Sequence, residues 1–224
     1  MDRTVVPFMR SICYPDPVDF VHPVEAVIPG VQGRVLAVLV KTTAELNLRT
    51  LARLAGVSVA QASRVMPHLV ELGVVERHEV PPSSLFRLNR AHVAAQPIMA
   101  LARSRDDVLR QLGVTAAQMR VQPESVIVFG SFARGEADAQ SDIDAVVVRR
   151  DDVAEDDDEW TRAVESWRQG ARAISGNRTE VIEVSSSEIA RKLTSDAPLW
   201  RNVAQQGVVV HGWSLHQLGE VLHA

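Results

Sequence analysis

From Val31 to about Thr42 apolar residues fill a broad face, with Val35, Leu36, Val38, Leu39 and Val40 at helical spacing, so the first strong element predicted is a helix. A short second helix is expected over Leu48–Leu54, closed by Gly56. Ser58 opens a third. Gln61 follows three residues later as a capping box, and Val59, Ala62, Val65, Met66, Leu69 and Val70 keep helical spacing until Gly73 ends the run. Pro67 sits inside that helix and should kink it or interrupt its hydrogen-bond ladder. The period then drops to two: VVERHEV and LFRLN alternate like strands on either side of the turn Pro81-Pro82-Ser83-Ser84.

The flanks are less regular. Residues 1–30 are punctuated by proline and read as an extended arm, and residues 91–112 read as a connecting helix that Pro97 should break or kink. Beyond it the pattern is mixed. SVIVFG is a short apolar run suited to a buried strand, followed by a Gly-Ser turn, a helical turn, and a second strand-like run, DIDAVVV. The acidic stretch Asp151–Glu159 leads into a helix around Trp160–Ile174, and TEVIEV at 179–184 is a third strand. Helices around Glu188–Leu193 and Pro198–Gln206 follow, with GVVVHG before the tail. The reading is α+β, with an arm at 1–30, a helix-and-hairpin domain at 31–90, a helical connector at 91–120 and a second domain with a mixed sheet flanked by helices at 121–224.

Size and charge agree with two domains. The chain has 224 residues, 46% of them hydrophobic, enough for real cores. Residues 1–120 hold 14 Arg and Lys against 10 Asp and Glu, whereas residues 121–224 hold 10 against 18. A mildly basic half beside an acidic half points to different partners and permits nucleic-acid binding in the first. One cysteine, Cys13, leaves no internal disulfide framework. With no apolar leader and no run of eighteen apolar residues, a soluble cytoplasmic protein that does not enter the membrane is expected.

Candidate chemistry concentrates in VIVFGSFARGEADAQSDIDAVVV. Side chains two apart on a strand share a face, so Asp142 and Asp144 should project together while Ile143 turns into the core. Two carboxylates about 6–7 Å apart along a strand can hold one or two Mg²⁺ ions, which clamp phosphates in a phosphoryl or nucleotidyl transfer. Gly130 lets backbone approach a phosphate closely, and Ser131 adds a hydroxyl at the start of a helical turn.

Ten residues separate Ser131 from Asp142, and GSFARGEADAQSDID resembles the GS-x10-DxD signature of minimal nucleotidyltransferases in the DNA polymerase beta-like superfamily. The resemblance covers roughly residues 121–211. It implies a mixed sheet, a two-Mg²⁺ site and transfer of a nucleoside monophosphate from an NTP, with pyrophosphate released. It also implies a third carboxylate on a nearby strand, as metal ligand and general base. Glu180 and Glu183 compete for that place on opposite strand faces, and Glu180 is preferred because the family sets its acid at the strand's start. Arg134 either meets the triphosphate or forms a structural ion pair. Asp156, Asp157 and Asp158 read as a solvated helix start, and His211 and His216 as ordinary.

RTLARLAGVSVAQASRVMPHLVELGVVER resembles the winged helix-turn-helix of bacterial transcriptional regulators, over roughly residues 31–90. That likeness implies DNA binding by the third helix through Ser58, Gln61, Arg64 and His68, with Arg77, His78 and Arg87 of the hairpin on phosphates. Against it stand Pro67 and a surplus of only four basic residues over 31–90 (8 against 4), and winged helices also serve as protein-binding or dimerisation modules.

Together the resemblances imply an antitoxin-like or regulatory enzyme that transfers AMP, or another NMP, to a protein or RNA acceptor. A HEPN-domain toxin is one such partner, and a palindromic operator would suit a homodimer. The alternatives are a transcriptional regulator whose nucleotidyltransferase domain senses nucleotide without turnover, and a small-molecule enzyme resembling aminoglycoside nucleotidyltransferases. The DNA module argues against the last.

Overall fold

The computed structural model of the chain describes residues 19–220, so most of the expected arm, with Cys13, lies outside them. The part of the arm that is described is not extended throughout. Asp19 accepts the amides of Val21 and His22 (2.9 and 3.0 Å), and Pro23 supplies the backbone angle of a first helical position, starting α1 (Pro23–Val27).

The next elements follow the apolar pattern. Helix α2 (Gly30–Val40) buries Val35, Leu36, Leu39 and Val40. A two-residue strand β1 (Leu46–Asn47), too short to leave a periodic signal, precedes α3 (Leu48–Leu54), whose first turn is capped by Asn47. Helix α4 (Val59–Glu71) begins at Ser58 with both bonds of the capping box formed (2.9 and 3.1 Å). The helix continues past Pro67, which is exposed while Ala62, Met66 and Leu69 are buried; having no amide, Pro67 interrupts the hydrogen-bond ladder at the Ser63 carbonyl, as expected. Strands β2 (Val75–Val80) and β3 (Ser83–Leu88) form an antiparallel hairpin, and β1 adds to the other edge of β3.

The expected connector is two helices, α5 (Ala95–Ala102) and α6 (Ser104–Ala117), and it parts at Arg103, not at Pro97. Pro97 stands in the first turn of α5, where an amide has no intrahelical partner to lose. Ala95 and Ile98 of α5 join the N-terminal core, whereas Val108, Leu109 and Leu112 of α6 pack in the C-terminal one.

The second half contains β4 (Ser125–Phe129), α7 (Gly130–Arg134), β5 (Ile143–Arg149), α8 (Asp158–Ser175), β6 (Thr179–Ser185), α9 (Ser186–Leu193), α10 (Pro198–Gln206), β7 (Val208–Gly212) and α11 (Leu215–Glu220). They build a mixed sheet of order β6-β5-β4-β7, with β5 and β6 parallel and the other pairs antiparallel. Helices cover both faces. Val126, Val128, Ala145 and Val147 meet Leu112, Trp160, Val164 and Trp167 from α6 and α8; Ile127, Val146, Val148 and Val184 meet Ile189, Val203 and Leu218. Buried on both sides, β4 carries the unbroken apolar run such a position demands.

Candidate active site

The site grows from the end of β4. Phe129 pairs with Asp144 across the antiparallel ladder, and the chain turns at Gly130 with φ +72°. An added Cβ there would lie 2.4 Å from Oδ2 of Asp144, so Gly130 is needed both for its backbone angle and for the close approach. Ser131 follows in the first turn of α7, which carries no side-chain cap.

The carboxylates gather at the same end of the sheet. Asp144 stands in β5 directly beside Glu180 of β6 in the parallel register, so the two side chains share a face. Asp142 precedes β5 by one residue and does not lie in the strand, yet the alternation holds: Ile143 between them is fully buried. Burial, then the charge of Asp142, then that of Glu180, push the Asp144 carboxyl above the usual range. Glu180 is half-exposed and pairs with Arg178 at 2.9 Å.

Glu183 is employed elsewhere. It lies beside Val147 in the register and accepts a hydrogen bond from Nε1 of the buried Trp160 at 2.6 Å, on the α8 side of the sheet. Glu183→Gln is accordingly expected to leave NTP turnover within about twofold and to cost about 1 kcal/mol of stability, read by denaturant titration beside an activity assay. A large loss of turnover with unchanged stability would return Glu183 to the site.

Several supporting residues gave no sequence signal. Asn177, buried and just after the C-cap Gly176 of α8, donates through Nδ2 to the carbonyls of Ser141 (2.8 Å) and Asp138 (3.3 Å). Asp138 accepts from Ser141 Oγ and the Gln140 amide, both at 2.9 Å, which holds its carboxyl below the usual range. The Ile143 amide donates to the Arg178 carbonyl at 2.8 Å. These bonds fix the loop that delivers Asp142. Nothing in the letters marks Asn177, because its role is set by a loop distant in sequence.

The remaining candidates are placed as follows. Of the two readings of Arg134, the ion pair is formed, to Glu136 at 2.7 Å, with a further bond to Gln206 at 3.3 Å. In the N-terminal half Ser58 and Gln61 engage each other in the capping box, while Arg64 and His68 are exposed on α4. The two hairpin arginines face acids, Arg77 with Glu79 (2.9 Å) and Arg87 with Glu76 (2.5 Å) and Glu45 (4.0 Å), and His78 lies 3.6 Å from Glu45.

Among the described residues no three His, Cys, Asp or Glu side chains already enclose a metal-sized space. The donor chemistry still suits a hard divalent cation. Asp142, Asp144 and Glu180 offer only oxygens; burial first, and then the charges of Asp142 and Glu180, raise the proton affinity of Asp144. No helix of the described residues is long and apolar enough to cross a membrane.

Residues 114–192, which carry β4, α7, β5, α8 and β6, match the family described as nucleotidyltransferase domain. No curated protein matches the chain. Two solved structures resemble part of it. One is a toxin-antitoxin crystallised with AMP-PNP, at 16% identity over 50% of this chain and 80% of that one, TM-score 0.36. The other, from Sulfolobus solfataricus and described as a nucleotidyltransferase, shows 19% identity over 48% of this chain and 82% of that one, TM-score 0.32. The match over residues 114–192 supports a nucleotidyltransferase domain there and nucleotidyl transfer as the enzyme class.

Proposed function

We propose that the chain transfers a nucleoside monophosphate, AMP from ATP, to a hydroxyl of a protein or RNA acceptor, using Asp142, Asp144 and Glu180 beside the Gly130-Ser131 turn. The observation that carries this reading is the register of β5 on β6, which sets Glu180 next to Asp144, with Gly130 packed against the same carboxylate.

Each group has a part. The Gly130-Ser131 turn would seat the NTP phosphates with backbone amides and the Ser131 hydroxyl. Arg134 spends its Nε on Glu136 and its Nη1 on Gln206, so a phosphate contact would come from its remaining donors. Mg²⁺ held by Asp142, Asp144 and Glu180 would supply charge neutralisation for the phosphates and for the attacking and leaving oxygens. The acceptor oxygen forms a bond to the α-phosphorus, the bond from that phosphorus to the α,β-bridging oxygen breaks, and pyrophosphate leaves. The hydroxyl proton passes to a carboxylate, for which Glu180 is the candidate base.

The test is incubation with Mg²⁺, each labelled NTP and a lysate, comparing the wild type with the Asp142→Asn, Asp144→Asn double variant. Label transfer and pyrophosphate release should depend on the aspartates; activity that survives both substitutions overturns the site. A second reading, nucleotide sensing without turnover, draws on one observation: the Glu180 carboxylate is already paired with Arg178. It predicts saturable NTP binding with no pyrophosphate from any acceptor.

For residues 31–90 we propose a winged helix-turn-helix, supported by the order α2-β1-α3-α4-β2-β3 and the sheet order β1-β3-β2. The connector is then 91–120 and the catalytic domain 121–224. Helix α4 is the DNA-reading element, with Arg64 and His68 exposed on it and a homodimer meeting a palindromic operator. Because Arg77 and Arg87 of the hairpin are paired with carboxylates, base contacts from α4 carry more of the binding than the hairpin does. Arg64→Ala should weaken binding to the gene's own promoter region by about 1–3 kcal/mol in a gel-shift titration. An unchanged shift removes Arg64 from the interface. A HEPN-domain toxin is a candidate acceptor by resemblance alone.

A further inference from the structure

Helix α7 has five residues, too few to hold a helical shape by itself. Its geometry is therefore imposed from outside, and two of the imposing groups belong to neither the Gly-Ser motif nor the carboxylates. The Arg105 side chain, 26% exposed, reaches from the first turn of α6 to the other end of α7. Its Nε donates to the Phe132 carbonyl at 2.8 Å and its Nη2 donates to the Ala133 carbonyl. Its remaining nitrogen pairs with Asp106 at 3.0 Å. The Phe132 carbonyl also accepts the Gly135 amide at 3.1 Å, so the guanidinium adds a second donor there, supplies one to the Ala133 carbonyl, and places positive charge at the carbonyl end of the helix. Phe20, 6% exposed, packs edge-on against Phe132 with ring centres 5.0 Å apart, and its amide donates to the Ala137 carbonyl at 3.0 Å.

Resting on Gly130-Ser131 as the nucleotide turn, we propose that Arg105 is a positioning residue for NTP binding. It clamps the carbonyl end of α7 so that the amide end and Ser131 face the phosphates at a fixed height above Asp144. The place of Arg105 gives the clamp a second meaning. It stands two residues beyond Arg103, where α5, packed in the N-terminal core, gives way to α6, packed in the C-terminal one. A shift of α5 against α6 can therefore reach the nucleotide turn through this side chain, beside the contact that Phe20 makes with Phe132.

The experiment titrates each of the four NTPs with Mg²⁺ into the full chain and into four variants, with the melting temperature of each recorded. Arg105→Ala should weaken the preferred NTP about tenfold, the scale of a lost charge-assisted hydrogen bond, and Arg105→Lys should recover part of it. Val108→Ala, which removes buried bulk from the same helix, should lower the melting temperature and leave the affinity unchanged. A folded Arg105→Ala variant that binds as the wild type overturns the proposal. If that variant does not fold, Arg105→Lys decides: wild-type affinity in it overturns the clamp, and intermediate affinity supports it. The fourth variant, Gly130→Ala, separates the two readings. Unweakened binding by Gly130→Ala, or no NTP binding by the wild type, removes the nucleotide turn itself and the clamp with it. Binding lost in Gly130→Ala but kept in Arg105→Ala removes only the clamp.

Discussion

Asp144→Asn is expected to lower nucleotidyl transfer by at least about 10²-fold, the scale on which a single preorganised charge-stabilising group is felt. In the absence of divalent cations the same substitution should raise the melting temperature at neutral pH. The opposite signs have one cause. Burial and the charges of Asp142 and Glu180 raise the Asp144 pKa above its unfolded value, so the folded state holds this proton more tightly than the unfolded chain does. Between the unfolded and the raised folded pKa, stability therefore falls as pH rises, and above the folded pKa the full penalty remains. Asparagine removes that penalty together with the function it serves. Melting curves with and without Mg²⁺, from about pH 4 to 7, test this. A loss of stability in Asp144→Asn without Mg²⁺ would show that the carboxylate has a structural partner. Turnover by the wild type should also fall as pH drops toward the raised pKa, because the protonated carboxyl no longer attracts a cation.

Gly130→Ala should be nearly as damaging, for a steric reason. Its φ of +72° costs a residue bearing Cβ about 1–3 kcal/mol, and the added carbon would lie 2.4 Å from Asp144 Oδ2. Either α7 moves away from β5 or the Asp144 carboxylate swings aside, and in both cases the phosphate seat and the carboxylates lose their mutual spacing. A loss of turnover of about 10²-fold is expected, since a displacement on the order of 1 Å costs that much. The gap in melting temperature between the wild type and this variant should widen when NTP is added, because only the wild type gains stability from bound nucleotide. Full activity in a folded Gly130→Ala would mean that the turn and Asp144 do not act together.

The letters that carried local instructions were the readable ones. Ser58 and Gln61 announce a capping box because its two bonds are made within four residues, and both are formed. The apolar run of β4 reads as a doubly covered strand because burial on both faces leaves no polar alternation to see. Features set by distant partners were silent. Strand parity puts Glu180 and Glu183 on opposite faces, but only the neighbours Asp144 and Trp160 decide which face is which. Pro97 looked like a breaker because proline is judged against a helix interior, and the helix begins just before it. Arg105 carries nothing in its surroundings to mark it, since its acceptors are the carbonyls of Phe132 and Ala133.

Strand β4 is buried at every residue, and its two edges are closed by β5 and β7. Strand β5 follows it closely in the chain; β7 comes after three further helices and another strand. While the polypeptide is emerging from the ribosome, one apolar edge of β4 therefore stays open until Val208–Gly212 has been made. That interval is when the nascent chain is most exposed to aggregation, and when a chaperone would find its hold.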